Sequence, residues 1–190
     1  MEANTGKRLN VGCGRDSRAG WVNLDASPLP GVDVVHDLQN LPLPFGDEEF
    51  DEILCQDVLE HIEYIPVLKE LHRILKTGGK ISIRVPHFTS RNNFIDPTHR
   101  KLFSIDTWEF FVARGSAHMA HLAPVAGYYF DFAFSRIASR SLSFELRREL
   151  FYNRIVGKLV NRSPSAQSLY ESCFLSRLFP AENISVTLIK

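Results

Sequence analysis

Gly12 and Gly14 follow the apolar run Arg8-Leu9-Asn10-Val11, and Asp25 closes the next run, Trp21-Val22-Asn23-Leu24. Glycines at the end of a strand let a ligand approach the backbone with no Cβ in the way. A carboxylate at the tip of the neighbouring strand can accept from both hydroxyls of a ribose. This spacing describes a nucleotide-type site at the edge of a parallel sheet. It is not the dinucleotide pattern, because Ser17 stands where a third glycine belongs and Asp25 comes too soon for a crossover helix, which with its joints takes a dozen or more residues. A second group of chemically capable side chains, His87, Asp96 and His99, lies in the polar stretch 87–100. Histidine titrates near neutral pH and suits proton transfer, with a carboxylate to orient it.

The elements that must hold these residues are legible as runs. Val32–Leu38 is a third β-branched run, with Asp37 near its end; Phe50–Cys55 is a fourth and Lys80–Val85 a fifth. Between the last two, Val67, Leu68, Leu71, Ile74 and Leu75 recur at helical spacing, with Pro66 in the first turn and Gly78-Gly79 as the stop. Strand, helix and strand with short joints predict a doubly wound α/β sheet whose first crossover is shortened. The stretch from His87 to Arg100 then leaves the fifth strand at its C-terminal end, the edge where open α/β sheets bind ligands. A helix is expected after it, with Asp106 as cap, Glu109 as its reciprocal partner, and Trp108, Phe110 and Phe111 roofing a pocket.

Further on, Phe130, Phe132 and Phe134 alternate with polar or small residues, as do Ile184, Val186 and Leu188, and both segments are expected to be strands. Two amphipathic basic helices are expected between them. Leu146, Leu150, Phe151, Ile155 and Leu159 form one apolar stripe; Leu169, Tyr170, Cys173, Phe174 and Leu178 form the other. Arg136, Arg140, Arg147, Arg148, Arg154, Lys158 and Arg162 concentrate positive charge there, which suits an anionic partner or simply a solvated face.

Length and composition fit one soluble domain: 190 residues, 44% of them hydrophobic and 23% charged, bury a single core without help from metals or disulfides. The cysteines are scattered, which suits a reducing cytoplasm, and the N-terminus lacks the apolar segment of a signal peptide. No apolar run is long enough for a membrane span. A metal reading would draw on His87, Asp96, His99, His118 and His121, but no tight ligand spacing supports it and no metal is assigned.

Taken together, the chain resembles a class I S-adenosylmethionine-dependent methyltransferase of the group acting on small molecules or glycans. The resemblance is carried by Leu9–Gly14, Asp37-Leu38 with Leu41–Phe45, Phe50–Ile53 with Leu59-Glu60-His61-Ile62, and Leu71–Lys80, and it covers residues 7–86 well. It implies a Rossmann-like, mostly parallel seven-stranded sheet with an antiparallel edge strand, and S-adenosyl-L-methionine as cofactor. It implies that Gly12 and Gly14 approach the methionine part, that Asn10 reaches the cofactor's amino group, and that Asp25 holds the ribose. Asp37 and the Leu38 backbone would take the adenine, while Gln56 and Asp57 would flank the methionine portion and His61 would line the cofactor pocket. One domain over 1–190 is expected: a cofactor-binding half at 7–86, a substrate loop and lid at 87–127, and a helical insertion at 140–180.

The expected reaction is methylation, at oxygen, of a small polar or glycan-like acceptor, with His87 the leading base because a strand fixes it, and His99, oriented by Asp96, the second. No nucleic-acid partner is expected, and a homodimer through 144–178 is. Two alternatives belong to other classes. One is a catalytically silent cofactor-binding partner subunit. The other is a nucleic-acid or peptide methyltransferase using the basic insertion, although Cys55-Gln56-Asp57-Val58 stands where base methylases carry Asn-Pro-Pro-aromatic.

Overall fold

Apolar residues at every second position of five strands line up across the sheet into continuous rows. Val22, Leu9, Ile53, Ile81 and Leu188 form one such row, and Leu24, Val11, Cys55, Ile83 and Val186 the next. The computed structural model describes residues 6–113, 129–147 and 150–190. Its elements are β1 (Arg8–Val11), β2 (Val22–Asp25), β3 (Val34–Val35), β4 (Phe50–Gln56), α1 (Tyr64–Ile74), β5 (Leu75–Pro86), α2 (Asn92–Ile95), β6 (Arg136–Ser143), α3 (Asn153–Val160), α4 (Pro164–Ser172), α5 (Leu175–Leu178) and β7 (Asn183–Ile189). The seven strands run in the order β3-β2-β1-β4-β5-β7-β6. The first five are parallel; β7 runs antiparallel to β5, and β6 antiparallel to β7 at the edge. Strand order reverses between β1 and β4, which opens a crevice at the C-terminal ends of both.

Among the described residues, helical cover is confined to one face. The apolar rows pack with Val67, Leu68, Leu71 and Ile74 of α1 in one buried cluster. The opposite face carries the row Asn23, Asn10, Leu54, Ser82 and Thr187, and beyond it Gln56, Arg84 and Ser185. Lys80 pairs with Glu52 there at 3.0 Å, and Ser82 meets Thr187 at 3.3 Å. Parallel sheets are usually buried on both faces; this one alternates as a one-sided sheet does. The joints β1–β2, β2–β3 and β3–β4 contain no helix. The expected short first crossover is a loop over 12–21 that lies on the polar face by hydrogen bonds. Asn10 Nδ2 donates to the Asp16 carbonyl at 2.8 Å, and the Arg18 N–H donates to Asn23 Oδ1 at 2.8 Å. The Arg8 and Arg18 guanidinium groups sit over the Trp21 ring at 5.0 and 5.9 Å.

Several sequence expectations need correction. Gly78 and Gly79 lie within β5 and not at a helix stop, because α1 ends at Ile74 and the chain passes directly into the strand. Ser104, not Asp106, caps the 3₁₀ turn over Ile105–Phe111, with Thr107 as reciprocal partner. Asp106 and Glu109 are instead drawn to the buried Arg140 guanidinium, at 2.8 and 3.1 Å. Trp108 and Phe111 are core side chains, with Trp108 stacked on Phe103 at 5.7 Å, so they support the sheet and roof nothing.

The Phe130–Phe134 segment keeps its alternation of burial but is a strap across α1 and not the sheet strand, which starts at Arg136. The α3 stripe is turned outward: Phe151, Ile155 and Leu159 are each more than half exposed. Asparagines decide that orientation. Asn153 Nδ2 donates to the Glu145 carbonyl at 2.8 Å, and Asn161 pairs with both backbone groups of Leu142 on β6 at 2.8 Å each. His118, His121 and part of the expected lid lie outside the described residues. Among the described residues no helix is long and apolar enough to cross a membrane.

Candidate active site

The turn after β1 needs glycine for two reasons. Gly12 has a left-handed backbone (φ 62°), and a Cβ on it would collide with Val58 Cγ2. Gly14 is also left-handed (φ 51°) with open space in front of it, and its N–H donates to Asp25 Oδ2 at 2.8 Å. Asp25 Oδ1 accepts from the Ser27 N–H at 2.9 Å, so the carboxylate is fixed at the tip of β2. A cavity of about 220 Å³ opens above this turn, bordered by Gly12, Asp25, Asp37, Leu38, Asp57 and His61, all expected cofactor residues. Ala26, Val58 and Ile62 add apolar wall that the sequence had not singled out. The loop carrying Asp37 is anchored to α1, where Glu70 Oε1 accepts from the Leu43 N–H at 2.7 Å and Arg73 donates to the Phe45 carbonyl at 2.9 Å.

Three expected cofactor residues do not border that cavity. Gly14 acts through its bond to Asp25. Asn10 is buried, and its amide serves the 12–21 loop and Asn23. Gln56 accepts from Arg18 Nη2 at 3.3 Å.

A larger cavity of about 490 Å³ adjoins the first, and Asp57 and His61 border both. Glu60, Arg84, Asp96, His99, Asn92 and Asn183 line it further. Asp57 holds an uncommon left-handed backbone (φ 56°). Its carboxylate pairs with Arg84 through Nε at 3.0 Å and through a shorter Nη2 contact, and its N–H donates to the Arg84 carbonyl at 2.9 Å. Glu60 is fully buried, and neither carboxylate oxygen has a hydrogen-bond partner. Burial, more than the neighbouring Asp57, pushes its carboxyl up to about 7. Backbone bonds from the Arg100 and Lys101 N–H groups to the Glu60 carbonyl, at 2.8 and 3.2 Å, bring the 96–101 segment onto it.

His61 and His99 meet edge to face with ring centroids 4.6 Å apart. Thr98 Oγ1 donates to Asp96 Oδ1 at 2.6 Å, so at 2.8 Å from His61 Nδ1 it accepts the ring proton. That chain leaves the lone pair of His61 on Nε2. His99 Nδ1 is buried without a partner, and its Nε2 stands 3.8 Å from Asp96 Oδ2, too far for a hydrogen bond. Burial, then the neighbouring His61, lowers the His99 pKa, so its ring is held neutral.

His87 is placed elsewhere. It is fully buried beneath the loop, its Nε2 bonds Glu171 Oε1 at 2.9 Å, and its Nδ1 accepts from the Thr89 N–H at 3.1 Å. It borders neither cavity. The structure therefore brings together Asp96, His99, Asp57 and His61 from the sequence expectations, adds Glu60 and Arg84, and leaves His87 outside both cavities.

Residues 22–83 match the family model described as a methyltransferase domain. Among curated proteins, an uncharacterized protein of Methanocaldococcus jannaschii is 51% identical over 45 residues, covering 24% of this chain and 20% of that protein. A demethylmenaquinone methyltransferase of Lysinibacillus sphaericus is 35% identical over 77 residues, 40% of this chain and 30% of that one. The chain thus spans less than a third of the length of these two relatives. Solved structures share the fold over nearly the whole chain. A SAM-dependent methyltransferase from Archaeoglobus fulgidus superposes with a TM-score of 0.57 at 16% identity, covering 98% of this chain and 87% of that one. The YcgJ protein from Bacillus subtilis gives 0.53 at 14% identity, covering 97% and 92%. Together with the strand order, the glycine turn and the acidic strand tips already described, these matches show that residues 22–83 are similar to a methyltransferase domain and that the chain shares the fold of the SAM-dependent methyltransferase from Archaeoglobus fulgidus.

Proposed function

We propose that the chain transfers the methyl group of S-adenosylmethionine to a hydroxyl oxygen of a small polar or glycan-like acceptor held in the larger cavity. The carrying observation is that Asp57 and His61 border both cavities, so a cofactor in one and an acceptor in the other meet at that wall. Adenine would lie against Ile62 with Asp37 accepting from its amino group, ribose on Asp25, and the methionine end toward Gly12 and Asp57. Asn92, Asn183, Asp96 and Arg84 offer the mixed donors and acceptors that a polyhydroxyl acceptor needs. The demethylmenaquinone methyltransferase matched over part of the chain carries a small-molecule acceptor in its name, which favours the same class here.

In the reaction the acceptor oxygen attacks the methyl carbon in line. The carbon–sulfur bond would break with its electron pair going to sulfur, and the hydroxyl proton would leave to the His61–His99 pair. Orientation supplies much of the rate, since well-placed partners reach effective molarities of roughly 10⁵–10⁸ M. His99→Ala is expected to lower kcat by about 10²–10⁴-fold while leaving the calorimetric affinity for S-adenosylmethionine within about threefold. A variant with unchanged turnover on the true acceptor would remove His99 from the chemistry. Mass spectrometry of a hydroxylated-metabolite extract with labelled cofactor tests the whole reading. Cofactor binding with no labelled product from any extract would leave the silent-subunit alternative standing.

The basic insertion reads less as a nucleic-acid surface than its sequence suggested, because Arg140 is buried among Asp106 and Glu109 and Arg147 pairs with Glu145. Its exposed stripe of Phe151, Ile155 and Leu159, with Leu146 beside it, is instead proposed to pair with a second copy of the chain. Light scattering is expected to show a concentration-dependent dimer that Ile155→Glu converts to monomer. A wild-type chain that stays monomeric at high concentration would overturn this.

A further inference from the structure

We infer that Glu60, His61 and His99 form a binding site for one divalent first-row transition cation, of the zinc or manganese type, at the floor of the acceptor cavity. One ligand atom from each lies within 4.8 Å of the others. Tetrahedral bonds of roughly 2.0–2.2 Å would set neighbouring ligand atoms about 3.4 Å apart, so small side-chain rotations close the cluster on an ion.

The second observation is independent of this proximity. Glu60 is fully buried and yet both its carboxylate oxygens are without a hydrogen-bond partner, and the same holds for His99 Nδ1. Buried polar atoms are nearly always satisfied. Three unspent acceptor atoms, with no Lys or Arg donor bonded to any of them, form the complement of a cation. The orientation of His61 fits the same reading. The Asp96–Thr98–His61 hydrogen-bond chain holds the proton on Nδ1 and leaves Nε2 free to ligate, which is the carboxylate-supported arrangement of imidazole ligands in metal sites.

Two imidazoles and one carboxylate suit borderline ions better than magnesium or calcium, which prefer all-oxygen sets. Three protein ligands leave coordination positions open, and the cluster borders a cavity of about 490 Å³. With the ion bound, the two rings serve as ligands and not as bases: an acceptor hydroxyl would be acidified by the ion, and its proton would leave to solvent through the cavity mouth in place of transfer to the histidines. This role rests on the methyl-transfer reading; the binding of the ion does not. Sequence spacing hid the site because Glu60 and His61 are adjacent whereas His99 comes from the far side of β5.

The test is titration of the chelator-stripped full chain with ZnCl₂ and MnCl₂ by calorimetry, and with CoCl₂ by visible absorption, followed on the same samples by titration with S-adenosylmethionine. One ion per chain is expected. Glu60→Gln and His99→Ala should each weaken uptake at least 100-fold, and Thr98→Val should weaken it by about 10–100-fold. No saturable uptake of zinc, manganese or cobalt by the wild-type chain, or uptake unchanged in both Glu60→Gln and His99→Ala, would overturn the inference. Intact cofactor binding alongside absent ion uptake would refute the metal site alone, whereas absent cofactor binding would refute the methyltransferase reading.

Discussion

Asp25→Ala is expected to weaken S-adenosylmethionine binding by a factor of roughly 10–100, because hydrogen bonds to a charged group contribute about 1.5–3 kcal/mol each. The carboxylate stands at the C-terminal tip of β2, borders the cofactor cavity, and is already fixed by the Gly14 and Ser27 N–H groups at 2.8 and 2.9 Å. The substitution therefore removes two things at once, the acceptor for the ribose and the strap that holds the glycine turn in shape. Asp25→Asn separates them. It keeps an acceptor oxygen but loses the charge, so it should recover part of the affinity if the strap matters and little if the charge on the ribose dominates. Calorimetry with the cofactor and with its demethylated product reads both variants. Wild-type affinity in Asp25→Ala would detach this carboxylate from the cofactor and reopen the assignment of the whole cavity.

The cofactor side was legible in the sequence because it depends on local features. A glycine turn after an apolar run and acids at strand tips need only the parallel order of neighbouring strands to converge, and the short joints fixed that order. The acceptor side depends on contacts distant in sequence. Glu60 belongs to a recognisable segment, Leu59-Glu60-His61-Ile62, yet nothing local says that it is buried; the docking of the Arg100 and Lys101 N–H groups on its carbonyl does that. The cap of the turn at Ile105 failed for a similar reason. Asp106 and Ser104 are equally capable caps, and the distant Arg140 claimed the aspartate.

The one-sided sheet has its own signal in the sequence. Lys80-Ile81-Ser82-Ile83-Arg84-Val85 and Ile184-Ser185-Val186-Thr187-Leu188 alternate strictly, which a sheet covered on both faces does not require. With the helix-free joints, that alternation already described a sheet with a polar second face. The outward stripe of α3 could not be read this way. Periodicity identifies an apolar face but not which way it points, and here Asn153 and Asn161 settled the orientation.

His87 gives the sharpest contest between sequence and geometry. Its position directly after β5 made it the leading base; the structure makes it a junction. Its side chain ties β5 to α4 through Glu171, whose carboxylate also accepts from the Ile105 N–H at 2.7 Å and from Ser104 Oγ. Its backbone N–H donates to the Glu182 carbonyl at 3.0 Å, and its carbonyl accepts from Asn93 Nδ2 at 2.6 Å. Truncating the ring would leave a buried carboxylate short of one donor and a void beside Phe88 and Tyr170, whose rings lie 4.3 and 6.1 Å away. The combined loss of hydrogen bonding and packing is about 2–4 kcal/mol, and a chain of this size should melt roughly 5–15 °C lower. Turnover per folded molecule should stay within about threefold of the parent well below the melting range, with an unshifted pH–rate profile, because the ring touches neither cavity. Scanning calorimetry and steady-state kinetics on the same His87→Ala preparation decide between the two roles. An unchanged Tm with turnover reduced a hundredfold would restore His87 as the base and displace His61 and His99 from that task.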